Sequence, residues 1–207
     1  MPLPPSLPFG ESLCHHCAAP ARYIRTATSL FIRCPLLEEK YPRQPVRECP
    51  LFRPSVIATE RLVLRELVAG DEPFLATMTD SVQDPSTWLA RCLMRYRRDG
   101  HGLWLALSRE TGEPVGQIGL LQQDVPDVRE AEVSYHLVAA ARGRGFAVEG
   151  ARAVVAWAFA RGHDHVIALI RDDNLASQSV AKKLGMTPGE LVTHAGLPHR
   201  RWRIDRQ

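Results

Sequence analysis

From Glu60 the chain alternates along Glu60-Arg61-Leu62-Val63-Leu64-Arg65, a period of two that predicts a first strand. Gly70-Asp71 then opens a short helix expected to run to about Met78. Asp84-Pro85 pairs a good N-cap with proline at the first helical position. The helix it starts sets Trp88, Leu89, Cys92, Leu93 and Tyr96 on one stripe, which makes Cys92 a core residue rather than a nucleophile. Leu103 to Ser108 and Pro114 to Leu121 read as a hairpin turned at Glu110-Thr111-Gly112-Glu113, and Asp124 to Glu130 as a polar loop. Ala131 to Leu137 is a strand, and Phe146 to Arg161 a helix burying Val148, Ala151, Val155, Ala158 and Phe159. His165 to Ile170 is a strand, followed by a helix from Asn174 to Leu184 with Gly185 as its C-terminal cap. Glu190 to His194 and Arg200 to Ile204 flank Gly196-Leu197-Pro198 as a closing hairpin. The order β-α-α-β-β-β-α-β-α-β-β predicts an α+β fold around one mixed sheet.

Composition adds a boundary. Hydrophobic residues make up 45% and charged residues 24% of the 207, the balance of a globular protein. No apolar run approaches the ~20 residues of a membrane span. The proline-rich start MPLPPSLPFG has neither the basic head nor the apolar stretch of a signal peptide, so the expected location is cytoplasmic. Residues 1–55 hold seven of the 26 basic side chains and four of the 23 acidic ones, so the whole net charge of +3 sits there. That field is too weak to argue for nucleic-acid binding. Arg53-Pro54-Ser55 is the expected seam, giving a disordered lead-in at 1–12, a cysteine module at 13–55 and a main domain at 56–207.

Four of the five cysteines, Cys14, Cys17, Cys34 and Cys49, crowd into the first 50 residues. In a reducing compartment a Cys-x-x-Cys followed by two more cysteines reads as a metal clamp rather than as disulfides, and four thiolates suit structural zinc. A segment this short and polar gains stability from a metal. The alternatives are another metal or an iron–sulfur arrangement, with His15 and His16 as competing ligands, or free thiols acting as a redox switch. Tyr23, Ile24, Phe31 and Ile32 suggest a short strand pair between the cysteines.

Arg142-Gly143-Arg144-Gly145-Phe146-Ala147 lies between a strand and a helix, where glycines bring backbone close to a ligand and free N–H groups suit a pyrophosphate. With its neighbours, this stretch resembles the GNAT family of N-acetyltransferases, whose loop reads Gln/Arg-x-x-Gly-x-Gly/Ala. Asn174-Leu175-Ala176-Ser177 with Lys183-Leu184-Gly185-Met186, and Glu132-Val133-Ser134-Tyr135-His136-Leu137, look like the subfamily that includes ribosomal-protein N-terminal acetyltransferases. The resemblance covers roughly residues 58–207. It implies a sheet splayed between its fourth and fifth strands, 131–137 and 165–170, with acetyl-CoA as cosubstrate. Amides of Gly143, Arg144, Gly145, Phe146 and Ala147, led by Arg142, would hold the pyrophosphate. Leu137 and Val138 would meet the pantetheine, and Asn174 and Ser177 would bond to it. For Asn174 alone the plain alternative is a helix N-cap.

Transfer from the thioester to an amine, by direct attack as the resemblance implies, requires an unprotonated amine, a stabilised oxyanion and a leaving thiolate. Strand periodicity puts Glu132, Ser134 and His136 on one face, toward the acceptor groove, and Val133, Tyr135 and Leu137 on the core face. Glu132 is the expected base, against the plain alternative of a satisfied edge carboxylate; His136 is second, against a groove-lining role. Ala181 stands where many relatives of this family carry a tyrosine acid, leaving Ser177, Tyr135 or solvent to protonate the thiolate. The acceptor would be a primary amine on a protein N-terminus, a lysine or a small molecule, and the chain a monomer or homodimer. A different class of reading is a non-catalytic acyl-CoA sensor whose cysteine module contacts protein or nucleic acid.

Overall fold

The computed structural model describes residues 12, 22–34, 42–47, 56–78, 81–125 and 128–207. Strands β1 (Arg22–Arg25) and β2 (Leu30–Arg33) form a separate antiparallel pair, where Tyr23, Ile24, Phe31 and Ile32 point to one. Cys34 follows it as a half-buried free thiol, while Cys14, Cys17 and Cys49 lie outside the described residues. Among the described residues no group of three or more His, Cys, Asp or Glu side chains could hold a metal, so the zinc expectation finds no support here.

The main domain is one eight-stranded sheet in the order β3-β4-β5-β6-β7-β8-β10-β9. Its strands are β3 (Ile57–Ala58), β4 (Leu62–Arg65), β5 (Leu103–Ser108), β6 (Pro114–Val125), β7 (Val128–Leu137), β8 (His165–Ile170), β9 (Thr187–His194) and β10 (Leu197–Asp205). Every neighbouring pair is antiparallel except β7 with β8, which is parallel. This is a mixed and mostly antiparallel sheet with flanking helices, the architecture that the resemblance implies.

Helices α1 (Glu72–Leu75) and α2 (Pro85–Asp99) follow β4; α3 (Phe146–Ala160) and α4 (Leu175–Leu184) flank β8 in the chain. The α2 stripe buries Leu89, Cys92 and Tyr96, and Cys92 is 1% exposed in the core. Gly150, Ala151, Val154, Val155 and Ala158 of α3 are buried, whereas Val148 is only half-buried.

Two expectations need correction. The first helix stops at Leu75 rather than Met78, because Thr77 and Met78 bond to carbonyls three residues back and close turns instead of continuing the helix. In the stretch 124–130, expected as a polar loop, residues 124–125 and 128–130 are strand. Gln123 pairs with Glu130, Asp124 with Arg129 and Val125 with Val128, so β6 and β7 run on as a ribbon. Polar side chains hide a strand whose backbone groups are already satisfied across the ladder. Among the described residues no helix is long and apolar enough to cross a membrane.

Candidate active site

Strands β7 and β8 pair at one position, Glu132 with Ile167. Strand β6 stays on β7 as far as Leu137, and β10 stays on β8 as far as Ile170. The sheet is therefore continuous on both sides of an opening between β7 and β8. That opening is the expected splay.

Beyond Leu137 the chain makes a 3₁₀ turn at Ala139–Ala141 and reaches Arg142-Gly143-Arg144-Gly145, exposed throughout. Gly143 (φ 74°) and Gly145 (φ 82°) are both left-handed, a conformation that penalises any side chain carrying a Cβ. Gly145 is the N-cap of α3 and offers no side-chain cap. The first α3 amide bonded within the chain is that of Glu149, to Gly145 O at 3.1 Å. The α3 amides before it have no backbone acceptor among the described residues and sit at the positive end of a 15-residue helix, beside exposed Arg144. Arg142 reaches back to bond Leu137 O through Nε at 3.0 Å. Glycine backbone, free amides and a sheet opening next to them fit a pyrophosphate carrying an extended arm, the form of coenzyme A. Val138 has its N–H on Val115 O and its carbonyl on the Ala141 N–H.

Asn174 and Ser177 do come together, but in a cap. Asn174 Oδ1 accepts from the Ser177 amide at 3.0 Å, which leaves the Nδ2 end for a ligand. Ser177 O accepts from the Tyr135 hydroxyl at 3.1 Å, tying β7 to the first turn of α4. Burial pushes the Tyr135 pKa up to about 12, so its proton stays on near neutral pH. Ala181, at 0% exposure, is packed into the core.

Glu132 is 7% exposed, and its carboxylate accepts from Gln123 Nε2 at 2.6 Å and from the Leu169 amide of β8 at 3.2 Å. It bridges the two strands where they begin to part. Burial raises its pKa, with the Gln123 and Leu169 hydrogen bonds opposing that rise. Each oxygen accepts one hydrogen bond, so Glu132 braces the base of the opening.

His136 lies half-buried edge-on to Trp88 of α2, ring centroids 6.2 Å apart, with Nε2 3.3 Å from Ser134 Oγ. Burial pulls its pKa below 6.5, which keeps the imidazole neutral at pH 7. Trp88 Nε1 donates to Gln117 Oε1 at 2.8 Å, and Gln117 is wholly buried opposite His136. Sequence reasoning missed Gln117, though a lone amide inside the apolar run 115–121 is a visible signal. It also missed Gln123, which gives none.

A third group reaches the loop from outside it. Glu149 accepts from Thr59 Oγ1 at 2.6 Å, from the Arg61 amide at 2.8 Å and from Arg61 Nε at 2.6 Å. An acid in a first helical turn reads as a dipole partner, and its bond to a residue 88 positions away is invisible in the sequence.

Comparison with known proteins agrees with this geometry. The family model for the acetyltransferase (GNAT) domain matches residues 61–187. A crystal structure of an acetyltransferase from Agrobacterium tumefaciens strain C58 is 30% identical, covers 77% of this chain and 99% of that one, and superposes with a TM-score of 0.63. RimL, a ribosomal L7/L12 alpha-N-protein acetyltransferase solved in complex with coenzyme A, shares the fold at 15% identity. It covers 73% of this chain and 97% of that one, with a TM-score of 0.60. The uncharacterized protein YkkB of Bacillus subtilis strain 168 is 38% identical over 88 residues, 42% of this chain and 51% of YkkB, so the match spans about half of that relative. The chain therefore belongs to the GNAT acetyltransferase family.

Proposed function

We propose that the protein transfers an acetyl group from acetyl-CoA to a primary amine by direct attack. The observation that carries this reading is the run of unbonded amides ahead of Glu149, set beside the single-pair junction of β7 and β8. Acetyl-CoA supplies the activated thioester. The amides from Gly143 to Ala147 hold its pyrophosphate, and Asn174 Nδ2 and Ser177 Oγ face the arm. Ser134 Oγ accepts from His136 Nε2–H, which leaves the lone pair on Nδ1 to take the proton of the attacking amine. A neutral imidazole suits that task at pH 7, and its depressed pKa is the reason for ranking it above the braced Glu132. Ser177 Oγ donates a hydrogen bond to the leaving thiolate, which takes its proton from solvent, since Ala181 offers no hydroxyl.

The test is isotope transfer from acetyl-CoA to a panel of peptides, ribosomal proteins and small amines, followed by pH profiles. His136→Asn should lower kcat by about 10²-fold or more. Because burial depresses the pKa, the acid limb of kcat/KM should lie below 6.5 and vanish in that variant. Tight coenzyme binding with no transfer to any acceptor would sink the enzymatic reading and leave a sensor.

A further inference from the structure

We infer that Arg61 is a positioning residue for the anion-binding loop: it holds the Arg144 carbonyl and so turns the Gly145 N–H outward to the ligand. The inference rests on the acetyl-CoA reading above. Arg61 lies between β3 and β4, more than 80 positions before the loop. Its Nη1 donates to Arg144 O at 2.9 Å, while Nε and the backbone N–H are fixed by the two oxygens of Glu149. The guanidinium lies 4.9 Å over the Phe146 ring, and a Cβ on Gly145 would sit 3.3 Å from its Nη2. Arg61 thus touches the loop at its last peptide before α3, on the side of the carbonyl.

That peptide is planar and trans, so its C=O and N–H point in opposite directions. A guanidinium holding the Arg144 oxygen therefore directs the Gly145 N–H away from Arg61. Left-handed glycines on both sides of Arg144 would otherwise let this peptide rotate cheaply. Glu149 serves the device twice: it neutralises Arg61 and sits in the first turn of the helix whose amides it leaves free. The Arg61 side chain is 45% exposed, and an ion pair that open to water adds little to stability. Its effect belongs in ligand affinity, through a donor array ordered before binding.

The experiment titrates coenzyme A and dephospho-coenzyme A into the full-length protein, Arg61→Ala and Arg61→Lys by calorimetry, with thermal melts alongside. Both variants should keep a melting temperature near wild type and lose about tenfold in affinity, equally for the two ligands. Lysine cannot rescue, because one ammonium cannot span Glu149 and the Arg144 carbonyl as the planar fork does. Wild-type affinity in Arg61→Lys would overturn the inference, since charge alone would then suffice. A loss confined to coenzyme A would overturn it as well, by revealing a direct contact with the 3′-phosphate. Failure of the wild-type protein to bind either ligand would instead bring down the acetyl-CoA reading, and this inference with it.

Discussion

Glu132 and His136 lie on one face of β7, yet their surroundings push them toward opposite tasks. Glu132 is a buried acid whose carboxylate is spent on Gln123 and on the backbone of β8. His136 is held neutral by burial, with Ser134 as its one polar side-chain neighbour in hydrogen-bond range among the described residues. The raised pKa of Glu132 has a consequence for stability. A carboxyl whose folded pKa exceeds its unfolded value costs the folded state progressively more as pH climbs through the unfolded value near 4.5 toward the folded one. Glutamine keeps the shape and one acceptor but carries no charge. Glu132→Gln should therefore melt higher relative to wild type at pH 7.5 than at pH 4.5, and a gap that is flat with pH would show that the carboxyl is not perturbed. Alternation along β7 was enough to group these two residues. The partners that separate them come from β6, β8 and α2, and no spacing within β7 encodes those.

At the scale of the element, the proposed function gives the N-cap of α4 a second task. Asn174 caps the helix through Oδ1 and is left with Nδ2 for a ligand. Substitution can separate the two. Asn174→Ala should lose about 1 kcal/mol of stability, the usual cost of a missing cap. Asn174→Asp caps as well as asparagine but donates nothing, so it should melt like wild type and bind coenzyme A several-fold more weakly, on the order of one lost hydrogen bond. An aspartate variant that binds like wild type would reduce Asn174 to a cap. The bounds of α4 were readable because asparagine and glycine mark its two ends chemically. The β6–β7 ribbon was not, because its far end carries charges that pair across the ladder or to neighbours, as Arg129 does with Asp99 at 2.8 Å.

For the whole molecule, the central fact is how closely β6 lies against its neighbours. A Cβ on Gly119 would fall 2.0 Å from Gly102 O and 2.8 Å from Leu103 Cα, both backbone atoms of the approach to β5. Backbone cannot step aside as a side chain can. Gly119→Ala should thus lower the unfolding free energy in urea by about 2 kcal/mol or more, and a neutral result would mean that the two strands can part without loss. The hydrophobic pattern, the caps and the glycine loop settle the order of elements, the α+β class and the place of the glycine turn before α3. All of these arise from interactions within a few residues along the chain, and local interactions leave periodic marks. The pairing of β10 between β8 and β9, the brace at Glu132 and the grip of Arg61 on the loop were settled by folding alone. Each joins side chains or strands far apart in sequence, where chain geometry imposes no period and only packing in three dimensions selects the partner.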